Sequence, residues 1–263
     1  MWRRVGVSAL LLAGCSEVLG FGEPVQVASD AATSPAPGAV DAGASPCDRS
    51  PAPTFCTRFD REDWRSEWTR VGGERGTLER SADDAFSAPA SLRARVDGLA
   101  PAWAAANVDF PAFAVVPRQV EVALRVRVDA ANADDRVAVL AEVFTVTSPD
   151  GSPLRILQLT ARQRTTGRLA LSVLEVDPNG GRFSDHALVR DVALGQWSEL
   201  RFQLSREGGD TLTAHVDGGL AFRGPLSLGI PEGIPRLTIG VVHSDSASPA
   251  WDVRYDDVLV DYR

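Results

Sequence analysis

The sequence predicts an all-β protein built as two antiparallel sheets packed face to face, and three observations carry that prediction. Apolar and polar residues alternate over many short runs. Clusters of Gly, Pro, Asp, Asn and Ser separate the runs, and no stretch repeats apolar residues at the helical spacing. The chain has 263 residues, of which 44% are hydrophobic, 7% aromatic and 24% charged, enough apolar surface for a full core in one all-β unit. All 27 basic residues are arginine and the formal net charge is −8. An acidic surface of this kind argues against nucleic acid as a partner.

The N-terminus begins with a basic head (Arg3, Arg4) and an apolar run over residues 5–13, far too short to span a bilayer and typical of a secretory signal. The run ends in Leu12-Ala13-Gly14-Cys15, which resembles a bacterial lipobox. That resemblance implies removal of residues 1–14 and acylation of Cys15, and so a membrane partner through a lipid anchor in the bacterial cell envelope. Ser16 stands where an Asp would hold such a protein in the inner membrane, which favours the outer one. Removing residues 1–14 takes two arginines and no acids, leaving 25 − 35 = −10. Residues 15–54 are rich in Pro, Ala, Ser and Gly, with almost no large apolar side chain after Val27, and read as a disordered tether. With Cys15 as the anchor, Cys47 and Cys56 remain as a pair for a disulfide in an oxidising compartment. The bond would close a loop of about ten residues, worth roughly 2–3 kcal/mol.

The folded unit is expected over residues 55–263. Phe55 to Asp60 opens it, with Trp64 and Trp68 packing beneath. Leu92, Ala94 and Val96 alternate with Arg93 and Arg95, and residues 104–110 form a weaker candidate strand. The clearest strand covers residues 118–129, where Val120, Val122, Leu124, Val126 and Val128 share one face and Glu121, Arg125 and Arg127 the other. A one-residue slip would expose all five apolar side chains, so the register is fixed. Residues 137–147 are almost continuously apolar, as a strand covered on both faces would be. Residues 154–164 and 168–176 make a hairpin about Thr165-Thr166-Gly167, and residues 177–181 (Asp-Pro-Asn-Gly-Gly) turn the chain again. Four further alternating runs fill residues 196–263, with Trp197 expected in the core.

Those last runs carry a second resemblance. Trp-x-x-Leu-x-Phe-x-Leu from Trp197, Leu-x-x-x-Val-Asp-Gly from Leu212, Ile239-Gly240, and Tyr-Asp-Asp-Val-x-Val-Asp from Tyr255 are similar to the C-terminal half of laminin-G-like and concanavalin-A-like jelly-roll domains. The resemblance implies a jelly-roll β-sandwich. It leaves activity open, because this sandwich hosts lectins, glycosidases, lyases and adhesion modules.

Glycosidases of that superfamily carry Glu-x-Asp-x-x-Glu on one strand, and the motif is absent here. His186, His215 and His243 are scattered, with no His-Glu-x-x-His and no Gly-x-Ser-x-Gly. No cofactor is required by any motif. The oxygen-rich cluster Asp129, Asn132, Asp134 and Asp135 would suit calcium, or would serve as an ordinary turn. Trp103 and Trp251 each follow Pro-Ala in a loop-like context, and with Asp245 they are the candidate sugar contacts; plugging the ends of the core is the other reading of both. The sequence therefore points to a lipid-anchored, non-catalytic envelope module that binds a glycan or another surface polymer. The other reading is a diverged polysaccharide hydrolase or lyase.

Overall fold

The structure, a computed structural model, describes residues 45–96, 102–111, 117–131, 137–165, 167–244 and 250–263. Cys15 and most of the tether lie outside the described residues, as do Asn132, Asp134, Asp135 and Asp245. Sixteen strands follow one another: β1 (Phe55–Thr57), β2 (Arg70–Glu74), β3 (Gly76–Ser81), β4 (Ser91–Val96), β5 (Ala102–Asp109), β6 (Gln119–Ala130), β7 (Val137–Thr147) and β8 (Pro153–Thr165), then β9 (Arg168–Asp177), β10 (Arg182–Ala187), β11 (Val192–Ala193), β12 (Trp197–Ser205), β13 (Thr211–Val216), β14 (Gly219–Pro225), β15 (Ile234–Ser244) and β16 (Trp251–Tyr262). Single 3-10 turns occupy Pro46–Asp48 and Trp64–Glu67.

The strands form two eight-stranded sheets. The first runs β14-β13-β12-β6-β16-β4-β3 with β1 also on β16, and the second β10-β9-β8-β7-β15-β5-β2 with β11 on β9. The antiparallel sandwich expected from the alternation is therefore present. Strand β14 was not anticipated, because its two glycines and terminal proline break the alternation. The core lies between the sheets. Val120, Val122, Leu124, Val126 and Val128 of β6 are all buried there, each burial worth roughly 1.5–3 kcal/mol.

The opposite face of β6 is not in water as alternation alone implies. Arg125 is buried on it, because the covering segments and β16 supply carboxylates to meet the charge. Residues 45–54, assigned to the tether by sequence, belong to the packed body: Arg49 reaches Glu121 and Asp261, and Thr54 bonds Asp261. The Cys47–Cys56 disulfide closes this segment, with a Cα–Cα distance of 5.5 Å. Phe55 and Phe59 pack on Trp68 with ring centroids 5.5 and 6.1 Å apart, so the tryptophans do sit beneath the opening strand.

One buried feature ties the sheets together, and another draws two strands of the second sheet close. The Tyr255 hydroxyl donates to the carbonyls of Leu140 at 2.6 Å and Gly240 at 3.2 Å, spanning from β16 to β7 and β15. Gly240 has φ +120°, and a Cβ there would lie 2.2 Å from the Ala104 carbonyl oxygen, so β5 and β15 approach as only glycine permits. Gly240→Ala is expected to cost about 3 kcal/mol or more, read as a lower denaturation midpoint in urea. Replacing Cys47 and Cys56 together by Ser is expected to cost roughly 2–3 kcal/mol in the same measurement.

Candidate functional site

The outer faces of the two sheets differ in kind. On the first sheet the face is filled by paired charges. Arg125 is ion-paired with Asp257 and lies over the Phe86 ring at 3.7 Å, while Arg127 pairs with Asp84 and, at 2.6 Å, with Asp129. Arg254 holds the second oxygen of Asp129 at 2.7 Å, and Arg93 holds Asp252 at 2.6 Å. Trp197, expected in the core, stands on this face instead, with its indole N–H on Asp84 at 3.1 Å. Its partner in register is Arg127, on the outward side of β6. A cleft of about 590 Å³ opens further along, between Gln203, Thr213, Arg223 and Arg263, and two of its acids, Glu121 and Asp261, are met by Arg49.

Asp256 is the exception on that face. It is 0% exposed, has no arginine of its own, and accepts hydrogen bonds from the Ser87 amide and hydroxyl and from the Asp257 amide. Burial pushes its pKa up to about 6, and the neighbouring Asp257 adds to the rise, against the Ser87 and Asp257 amides, which favour the charged form.

The outer face of the second sheet carries a rung of polar side chains. Cross-strand register places Arg70, Asn107, Thr238, Glu142 and Gln158 side by side on β2, β5, β15, β7 and β8, and the same rung continues to Leu174 and Asp185. Thr145 and Thr238 both donate to Glu142 Oε2 at 3.2 Å. Asn107 Oδ1 is enclosed and has no hydrogen-bond partner, an acceptor that ordinarily finds one when buried. Beside this polar rung lies a rung of small residues, Gly72, Ala105 and Gly240. Trp103 borders it at 38% exposure, and a Cβ on Gly72 would come within 3.3 Å of its ring. The ring thus lies along a shallow floor next to the polar rung. An apolar face beside convergent acceptors is the chemistry that covers one side of a sugar while bonding its hydroxyls.

Of the residues singled out by sequence, only Trp103 falls on this face. Trp251 is 0% exposed, opposite Val96 on β4, and is a core side chain that offers no ring to a ligand. Asp129 has both carboxylate oxygens committed to arginines, and among the described residues no three His, Cys, Asp or Glu side chains converge as metal ligands would. His186 meets the buried Glu175 between the sheets, and His215 stands on the first sheet, its pKa lowered by burial and by Arg201 and Arg223. Asn107, Thr238 and Gln158 were not anticipated.

No protein-family model and no curated protein sequence matches the chain. Solved structures do. An endo-β-1,4-glucuronan lyase from the fungus Trichoderma reesei superposes with a TM-score of 0.57 at 13% identity, covering 81% of this chain and 96% of the lyase. A carbohydrate esterase from the Shiga toxin-encoding bacteriophage phi24B gives 0.52 at 13%, covering 80% of this chain and 100% of that one. An alginate lyase in complex with an alginate trisaccharide gives 0.50 at 12%, over 79% and 98%. At these identities the likeness establishes the two-sheet antiparallel sandwich fold and leaves the activity to the site.

The buried Asp256 makes a testable demand. Its folded pKa of about 6 exceeds the unfolded value of about 3.9, so its favourable contribution is complete at low pH and is lost as pH rises towards 6. The loss is at most about 3 kcal/mol. Asp256→Asn removes this dependence, so thermal melts should show the variant gaining on wild type between pH 4 and 6.5, approximate limits set by the two pKa values.

Proposed function

We propose that this protein binds a polysaccharide on the outer face of its second sheet. The observation that carries the reading is the juxtaposition of the polar rung from Arg70 to Gln158 with the small-residue floor and the exposed Trp103 beside it. In this reading Trp103 covers the apolar face of a sugar ring. The half-buried Glu142 carboxylate and Gln158 amide bond its hydroxyls. Support comes from the similar structures, a glucuronan lyase, an alginate lyase and a carbohydrate esterase. The lipobox-like Cys15 adds an envelope location, as a lipid-anchored module. Calcium would enter through Asn132, Asp134 and Asp135, since Asp129 is committed to Arg127 and Arg254.

A polysaccharide lyase or hydrolase is the second reading, favoured by the enzymes among the similar folds. Hydrolysis by two carboxylates needs a second acid near Glu142. The carboxylate nearest in register on the neighbouring row, Asp109, is ion-paired with Arg236. Elimination needs a base, and the exposed His243 on β15 is the group to test.

Affinity electrophoresis through polysaccharide-containing gels, with reducing ends and ultraviolet-absorbing unsaturated ends assayed in parallel, separates the two. Retardation without product is expected. Trp103→Ala should weaken it by roughly tenfold, the equivalent of about 1.4 kcal/mol. Product that appears with wild type and disappears in His243→Ala or Glu142→Gln would install the enzymatic reading.

A further inference from the structure

We infer, resting on the glycan-binding reading, that the ligand of the second sheet is a long polymer rather than a short oligosaccharide, and that Phe183 is a second ring platform for it. Among the described residues three aromatic side chains stand well exposed: Phe86 at 36%, Trp103 at 38% and Phe183 at 59%. Phe86 is occupied on the first sheet, where it lies against Arg125. The other two share the outer face of the second sheet. Trp103 is four residues from Asn107 on β5, and Phe183 two residues from Asp185 on β10, so alternation turns each to the side that its rung neighbour faces. Ser184 and His186 point the other way, to Ser227 and to Phe222 of β14.

The two rings lie on opposite sides of the polar rung. Strands β5 and β10 run in opposite directions, since five antiparallel pairings separate them, and each ring precedes its rung residue in sequence. Five strand spacings across, with four residues of offset on one side of the rung and two on the other, put the rings roughly 30 Å apart over the sheet. An extended chain of about six sugar rings covers that span. The line between them crosses the rung near Gln158, beside Glu142, and both of these side chains are half buried and open to a chain laid over them. Phe183 also has apolar neighbours in its own row, which continues to Val176 and Ile156. An exposed apolar side chain on an edge strand invites association with other strands, and natural edges carry charges against it. Strand β10 has such charges in Arg182 and Asp185, on either side of Phe183, yet keeps the ring. A sugar face that covers the ring accounts for it. A short oligosaccharide meets one ring and a long chain meets both. The second contact is then made by a chain already held, which multiplies the affinity.

The experiment uses the full chain in affinity gels containing a β-glucan, xylan, mannan, alginate or glucuronan, at physiological salt. The polysaccharide that retards it most is then competed with its own oligosaccharides, from about two to about eight units long. Competition is expected to strengthen by roughly tenfold or more between about three units and about six, and little beyond. Phe183→Ala should weaken retardation by the polymer roughly tenfold and remove the length dependence, while the trisaccharide competes as before. Phe183→Tyr keeps a ring and should behave as wild type does. Wild type for which the trisaccharide competes as well as the hexasaccharide overturns the inference and leaves the glycan-binding reading standing. So does a folded Phe183→Ala protein that is retarded like wild type. Wild type held by none of the polymers overturns the binding reading and the inference with it. The wild-type length series decides the matter by itself if the variant does not fold.

Discussion

The ion pair between Arg125 and Asp257 is the constraint on which the first sheet depends. Both side chains are buried, with Asp257 0% exposed, on the face of the sheet turned away from the core. Strand β16 runs through the middle of this sheet with acids at 252, 256, 257 and 261, and desolvating so many carboxylates is costly unless each finds a cation or several donors. Arginines from β4, β6 and the N-terminal segment supply the cations, with planar guanidinium groups that bond two partners at once. Phe86 and the rest of its loop close over Arg125 and exclude water from the pair. Removing one member would leave the other charged and alone, which is why the network is retained as a unit.

This arrangement gives the sandwich two unlike outer surfaces. The first sheet has its charges satisfied internally and is covered by the disulfide-closed segment, so its polar groups hold the protein together. The second sheet carries a polar rung in which Thr238 is buried and Asn107, Glu142 and Gln158 are half buried. Its rung is held in register from within: the Tyr255 hydroxyl bonds carbonyls of both β7 and β15, the strands that carry Glu142 and Thr238. Core chemistry on one strand thereby fixes the spacing of polar groups on two others.

Much of this was legible in the residues. The β6 alternation, the apolar run of β7, the hairpin that follows it and the Cys47–Cys56 pair all read through, because each depends on local periodicity or on a short loop. What did not read through depends on neighbours distant in sequence. Asn107 and Thr238 share a rung although 131 positions separate them, and no local pattern sets that register. Arg125 looked solvent-facing because its partner Asp257 lies on a strand at the other end of the chain. Trp197 stands outside the core for the same reason, while Trp251 takes the core-plug reading of its two. A tryptophan at a strand start looks like core, and one behind Pro-Ala looks like loop, until the covering loop and the partner strand are known. Residues 45–54 lack apolar side chains and read as tether, yet Arg49 and the disulfide hold them down.

The small-residue rung shows how closely fold and site are joined. Glycine inside a strand weakens it, so a rung holding Gly72 and Gly240 carries a cost that packing alone should select against. Gly240 is required by the approach of β5 to β15, where any side chain would strike the Ala104 carbonyl. Gly72 is different, since the nearest atoms to a Cβ there belong to the Trp103 ring and to nothing in the core. What glycine permits at 72 is therefore the lie of an exposed indole across the sheet. The indole so placed stands exposed beside the rung of Asn107, Thr238 and Glu142.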